Sequence, residues 1–217
     1  MIRLWRIVRA APALLLLLGS CAIATRSGHL VTESRSVSGF TAVELSGAGE
    51  VTIDQTGSES LTVEADEKFL SLLTSEVSGG TLVLGTKPNA MLINRDPIKF
   101  RVTVKDLTGL TITGSGNITV AKVSTTELQT RISGSGTITA AGTADTQRVG
   151  ISGSGSVRAG ELASRAATVN ISGSGDAVIQ VSDSLDVRIS GSASVRYRGD
   201  PSINEHISGS GDLIKDQ

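Results

Sequence analysis

The sequence predicts an all-β chain: a solenoid of parallel strands, or β-helix, with one coil for about every nineteen residues. Three observations predict it. The first is a phrase that returns six times, as ITGSGNI (Ile112–Ile118), ISGSGTI (Ile132–Ile138), ISGSGSV (Ile151–Val157), ISGSGDA (Ile171–Ala177), ISGSASV (Ile189–Val195) and ISGSGDL (Ile207–Leu213). The second is its phase: the leading glycines Gly114, Gly134, Gly153, Gly173, Gly191 and Gly209 stand 20, 19, 20, 18 and 18 residues apart. Helical repeats need about 33 residues and propeller blades about 40. The third is period-two alternation on both flanks. Leu128, Thr130 and Ile132, or Leu185, Val187 and Ile189, lead into the phrase, and Ile118 and Val120, or Val195 and Tyr197, lead out of it. Gln129 and Arg131, or Asp186 and Arg188, stand between them. Each coil thus has an inward aliphatic row and an outward polar row, and stacking sets like over like about 4.8 Å apart.

Taken from the amino terminus, residues 1–20 read as a lipoprotein signal peptide. Arg3, Arg6 and Arg9 form a basic start, and Ala10 to Leu18 form an apolar run too short to span a bilayer. Leu18-Gly19-Ser20 then precede Cys21, the single cysteine of the chain. This pattern resembles the lipobox of bacterial lipoproteins, which makes Cys21 the lipidation site and a lipid anchor the expected membrane partner. Ala22 rather than an aspartate after it points to the outer membrane, with a periplasmic or cell-surface face. Residues 21–39 are polar and mixed and read as a flexible, lipid-anchored tether.

Residues 40–217 form the expected β-helix domain, in two parts. Over 40–110 the repeat is irregular: LSGAGEV (Leu45–Val51) fits the phrase, but the next copy is far along the chain. Leu61–Ala65, Thr81–Thr86 and Ile98–Lys105 read as strands in that gap. Asp66 to Val77 reads as a short helix, capped by Asp66, with Phe69, Leu72, Leu73 and Val77 on one face and Gly79-Gly80 ending it. This part is expected to supply the first coils and a cap, because a solenoid end exposes unpaired strand edges. Over 111–217 the repeat is regular. Both glycines of each phrase are expected to face the axis, with the serines outward and differences in coil length absorbed near Gly142, Gly160, Asp183 and Pro201. No cap is visible after Leu213, so the last coil is expected to be short and frayed, or covered by a partner or a second copy.

The six phrases in phase, the strand–helix–strand section before them and the lipobox together resemble the GIN-type head domain of putative autotransporter adhesins, over about Phe40 to Gln217. That resemblance implies a right-handed, single-stranded parallel β-helix from the bacterial envelope. The family brings no catalytic residues to carry over.

Chemistry is sparse. The chain has 20 basic and 21 acidic residues, and removing the three signal arginines leaves it more acidic, which argues against nucleic acid. A calcium β-roll needs an aspartate in every nine-residue turn, whereas the position after each second small residue reads Asn117, Thr137, Ser156, Asp176, Ser194 and Asp212. His29 and His206 are the two histidines, so no metal site and no cofactor are expected. The glycine phrase lacks the lysine and the following helix of a phosphate loop. Asp176 and Asp212 fall two coils apart, about 10 Å, near the carboxyl separation of inverting glycosidases. Ser194 lies between them with no further acid or base, so a non-enzyme is expected, and a polysaccharide-active enzyme is the third reading. What is left is an outward ladder flanking the phrase: Arg131, Asn170, Arg188 and His206 on one side, Arg158, Asp176, Arg196 and Asp212 on the other. It suits an extended anionic ligand such as envelope polysaccharide, or another envelope protein. The resulting expectation is a binding or adhesion-type module of the envelope, with a self-assembling or partner-docking scaffold as the alternative.

Overall fold

The regular coils follow directly from the alternation. The structure, a computed structural model, describes residues 22–25, 28–93 and 98–216; the signal peptide and Cys21 lie outside the described residues. Nearly everything described is strand, wound as a β-solenoid of about five turns. From the amino terminus the strands are β1 (Ala22–Thr25), β2 (Leu30–Arg35), β3 (Ala42–Gly47), β4 (Glu50–Gln55) and β5 (Ser60–Asp66). A single helical turn, α1 (Glu67–Leu70), precedes β6 (Leu73–Ser78), β7 (Thr81–Thr86), β8 (Ala90–Ile93) and β9 (Lys99–Val104). The repeats then give β10 (Gly109–Gly114), β11 (Asn117–Gly134), β12 (Thr137–Gly153), β13 (Ser156–Gly173) and β14 (Asp176–Gly191). The last coils are β15 (Ser194–Arg198), β16 (Ser202–Gly209) and β17 (Asp212–Lys215).

Parallel, in-register pairing carries the phrase from coil to coil. Leu45, Ile112, Ile132, Ile151, Ile171, Ile189 and Ile207 are successive partners in one column. All but Ile207 are buried. Burying one such side chain stabilises the fold by roughly 1.5–3 kcal/mol, and the column repeats that contribution at every coil. Shifts of register fall at Val120/Val123, Thr139/Ala141, Ala159/Ala163 and Ser164/Ala166, where bulges absorb the unequal coil lengths. One bulge region holds a buried polar cluster. The Gln147 amide donates to the Leu162 carbonyl at 2.8 Å, the Ser164 hydroxyl at 2.9 Å and the Gln180 carbonyl at 3.2 Å. Gln147 stands in the column of Leu128, Ala167 and Leu185; it replaces a core aliphatic because the bulge frees carbonyls that need a donor.

The two glycines of the phrase have different tasks, which corrects the expectation that both face the axis. In ISGSGSV, Gly153 is a corner: its φ is 118°, and a Cβ there would stand 2.5 Å from the Gly134 carbonyl oxygen of the coil before. Only the second glycine is turned into the core. Gly155 has ordinary φ, and its missing Cβ leaves room for the Ile132 γ-methyl, which would otherwise be 2.5 Å away.

The amino-terminal half departs further from the sequence reading. β3 and β4 form a coil that pairs with β10 and β11 on one side. On the other side they pair with β7 and β9, which come later in the chain. A coil is therefore laid outside its predecessor, and the chain then returns to continue the stack. Antiparallel strands close this end: β5 on β9, β2 on β5, and β6 on β7. Residues 40–110 are thus both coil and cap.

The helix expected over Asp66 to Val77 is one turn. Asp66 does cap it, accepting from the Lys68 amide at 3.1 Å, and Phe69 is buried. From Leu73 the chain is strand, because Gly79 and Gly80 have φ of 56° and 77°; positive φ at both positions makes the two-residue turn of a hairpin rather than a helix stop. The tether reading is also corrected over part of its length. β2 is a paired strand, and β1 pairs in parallel with β8. Arg35 pins β2 to the cap, donating to the carbonyls of Leu70 at 2.8 Å and Leu73 at 3.0 Å and to Ser75 Oγ at 2.9 Å.

At the opposite end the core columns change character. Val149, Val169 and Val187 are followed by Glu205, and Ala159, Ile179 and Tyr197 by Lys215. Both charged residues are exposed, and Lys215 pairs with Asp200. Charges set at core-facing positions of an edge strand deter further strand addition. Other core columns stay aliphatic there, ending in exposed Ile203 and half-buried Ile207 and Leu213, so the two charges interrupt an end that is otherwise partly apolar.

Candidate functional site

The corner at each Gly-Ser-Gly separates two outward faces. Along the leading face, register stacks Thr111, Arg131, Gly150, Asn170, Arg188 and His206 in one column. Beside it runs a hydroxyl column, Thr113, Ser133, Ser152, Ser172, Ser190 and Ser208. The two columns line a groove of about 650 Å³. Arg131, Asn170, Arg188 and His206 are therefore brought together as the spacing implies. Gly150, which the ladder leaves out, sits between Arg131 and Asn170 and opens the groove at that coil. Arg188 is held by Asp186 at 2.6 Å, and Asp186 also accepts from the Asn204 amide at 2.8 Å. Arg131 instead donates to the Gln129 side-chain oxygen at 2.7 Å.

The trailing face resolves the second half of the ladder into two adjacent columns. Thr137, Ser156, Asp176, Ser194 and Asp212 form one; Thr139, Arg158, Val178, Arg196 and Ile214 form the next. Asp176 and Asp212 are two coils apart as expected. Asp176 Oδ1 accepts from the Ser194 amide at 3.2 Å, so this carboxylate caps the neighbouring coil's turn. Around Arg158 and Arg196 lies a groove of about 470 Å³, floored by Ala140, Ala141, Ala177 and Val178. Its far wall escaped the sequence reading. Arg198 crosses the bulge to reach Glu161 at 3.0 Å and Asp216 at 3.2 Å. The signal was Gly160, which breaks the alternation where β13 bulges.

A third, hydroxyl-lined depression of about 860 Å³ includes Ser124, Thr125, Thr143, Asp145, Arg165 and Asp200. Nearby, the Ser182 hydroxyl and then Arg165 hold the Asp183 carboxyl below its usual range. Among the described residues no cluster of acidic, His or Cys side chains could hold a metal ion. Phe40, Phe69 and Phe100 are all buried in the coils and cap at the amino-terminal end, which leaves half-buried Tyr197 as the aromatic ring nearest the grooves.

A β-solenoid with a capped amino-terminal end and polar, grooved faces is thus the class of protein that the fold defines. The chain belongs to the family described as putative auto-transporter adhesin, head GIN domain, whose model matches residues 39–201. A putative adhesin from Bacteroides fragilis superposes with a TM-score of 0.71 at 22% identity, covering 88% of this chain and 99% of that one. A putative lipid binding protein from Parabacteroides distasonis gives 0.61 at 24% identity, over 90% and 100%. A putative adhesin from Parabacteroides merdae gives 0.53 at 20%, over 90% and 99%. At these identities the likeness is one of fold. No curated protein matches the sequence.

Proposed function

We propose that the protein is an envelope lipoprotein, acylated at Cys21 and held at the outer membrane, that works as a non-catalytic binding or adhesion-type module. The observation that carries this reading is the leading-face groove, where register sets Arg131, Asn170, Arg188 and His206 in one column on a rigid stack. Each coil offers one polar group at a constant spacing of about 4.8 Å, which suits an extended, repeating ligand such as envelope polysaccharide or a strand-like segment of another envelope protein. Asp176 caps a turn and Asp212 sits two coils away with no further acid or base between them, so the module binds without cleaving. Family membership and adhesin-like structural relatives support the binding reading and an extracellular or envelope location.

Glu205 and Lys215 at core-facing positions weigh against the scaffold alternative, because they oppose stacking of a second copy on that end. The test is retention of the protein on acidic and neutral envelope polysaccharides and on vesicles of anionic lipid, with Arg131→Ala/Arg188→Ala as the variant. Retention on polysaccharide that falls in the variant supports the reading. Equal retention of both forms, shortening of the polymer, or preference for vesicles would overturn it. Cys21→Ser should release the protein from the membrane fraction.

A further inference from the structure

The trailing-face groove has a feature that the leading one lacks: two guanidiniums without acid partners, at a fixed spacing. Arg158, Val178 and Arg196 occupy one column on successive coils, so the arginines stand two rungs, or about 10 Å, apart. Both are exposed, and among the described residues neither guanidinium has a hydrogen bond or ion pair. The third arginine, Arg198, is committed: it donates to Glu161 and Asp216 and lies 3.4 Å from the Gly160 carbonyl oxygen. The groove is therefore not a general basic patch. It has two free cationic points with a small apolar floor between them, and acids that are already engaged.

Resting on the reading that the module binds an extended ligand, we infer that the groove between Arg158 and Arg196 takes an acidic carbohydrate chain bearing one anionic group on every second sugar. A hexose in an extended chain advances by about one coil spacing, so carboxylate or sulfate groups on alternate rings meet Arg158 and Arg196 in turn. The ring between them lies on half-buried Val178 and Ala141, an aliphatic surface that suits the C–H face of a sugar. Glu161 and Asp176 retain lone pairs on the rim that accept from ring hydroxyls. Those same carboxylates disfavour a ligand charged on every unit, because it would set an anion against them. Gly160 keeps the groove open: a Cβ there would stand 3.1 Å from a Val178 γ-methyl and 3.5 Å from Arg198 Nη1.

The experiment measures equilibrium binding of the whole protein to three oligosaccharides of equal length: uronic acid on alternate rings, uronic acid on every ring, and neutral. The alternate-acid chain should bind at least about tenfold more tightly than either of the others. Arg158→Ala/Arg196→Ala should remove that preference, and Gly160→Val should weaken binding by filling the groove with all charges kept. Both variants are read beside their melting temperatures. If Gly160→Val fails to fold, the exposed arginine pair decides alone. Preference for the alternate-acid chain that survives the arginine substitutions, or equal binding of the two acidic chains, overturns the inference while leaving the leading-face reading intact. Loss of all binding in Arg131→Ala/Arg188→Ala, with Arg158→Ala/Arg196→Ala unaffected, also overturns it. No binding to any of the three would remove the carbohydrate reading itself.

Discussion

Replacing Gly153 by alanine should cost about 1 kcal/mol more than replacing Gly155, although the two stand two residues apart in one ISGSGSV phrase. At Gly153 an alanine must adopt a φ of 118°, a strain on the order of 1–3 kcal/mol. Its Cβ would also meet the Gly134 carbonyl oxygen at 2.5 Å. That oxygen accepts the Ser154 amide at 2.9 Å, so it cannot retreat without breaking the coil-to-coil ladder, and losing that bond adds roughly 1 kcal/mol. The sum is about 2–4 kcal/mol, before any wider shift. At Gly155 the φ is not positive, the nearest atom is the Ile132 γ-methyl, which can move, and the Gly136 carbonyl oxygen stands 3.0 Å off rather than 2.5 Å, so the cost is that of overpacking, about 1–3 kcal/mol. The structure carries its own precedent: Ala193 holds the second-glycine position of ISGSASV at 2% exposure. Urea unfolding followed by far-ultraviolet circular dichroism gives both differences, with Ala193→Gly as a control expected within about 1 kcal/mol of the parent. If Gly155→Ala costs as much as Gly153→Ala, or Gly153→Ala costs under about 1 kcal/mol, the division between corner glycine and core glycine is wrong.

Other outcomes follow from the same structure. Gln147→Leu puts an aliphatic in an otherwise aliphatic column yet should destabilise by roughly 1–3 kcal/mol, because the Leu162 carbonyl loses its donor while the Gln180 carbonyl keeps only the Ser164 hydroxyl, at 2.8 Å; a neutral or stabilising result in the same unfolding assay would contradict the cluster's role. Glu59 accepts from the amides of Gly39 and Phe40 and sits near Lys105, and its carboxyl titrates below the usual 4.5. Its contribution to stability is therefore complete above about pH 4.5 and lost as the pH falls through the lowered folded-state value. Thermal melts of Glu59→Gln should show a shallower acid limb than the parent; parallel limbs would dismiss the linkage. Glu205→Val/Lys215→Ile restores aliphatics to two core columns at an exposed end and should produce concentration-dependent association in sedimentation, whereas the parent stays monomeric. An associating parent would reverse the assignment of that end.

The regular coils are legible because in-register stacking places every copy of the phrase in one environment, so Ile132, Ile151 and Ile171 repeat both in sequence and in space. What the sequence hides is wherever that correspondence breaks. β2 is an edge strand with exposed Leu30 and Val31, held by backbone pairing and by Arg35, and neither leaves a hydrophobic pattern to read. The spacing of Phe69, Leu72, Leu73 and Val77 fits a helix, but Gly79-Gly80 makes a hairpin that turns Val77 to solvent at 38% exposure. The order of the first coils is hidden because β7 and β9 follow β3 and β4 in sequence yet stack outside them. In the site, Arg131, Asn170, Arg188 and His206 could be aligned from spacing alone. The meeting of Arg198 with Glu161 could not, since it spans a bulge whose register the repeat does not set.

The central claim is that recognition runs along the coils, through the outward residues that differ between copies of the phrase. Affinity measured against acidic oligosaccharides of increasing length tests it most directly, on the parent and on a variant with Arg131, Arg158, Arg188 and Arg196 changed to alanine. The account predicts that parental affinity climbs as the ligand spans more coils, and that the climb disappears in the variant while its melting temperature holds. Affinity independent of length, or a climb that the four substitutions leave untouched, would contradict it.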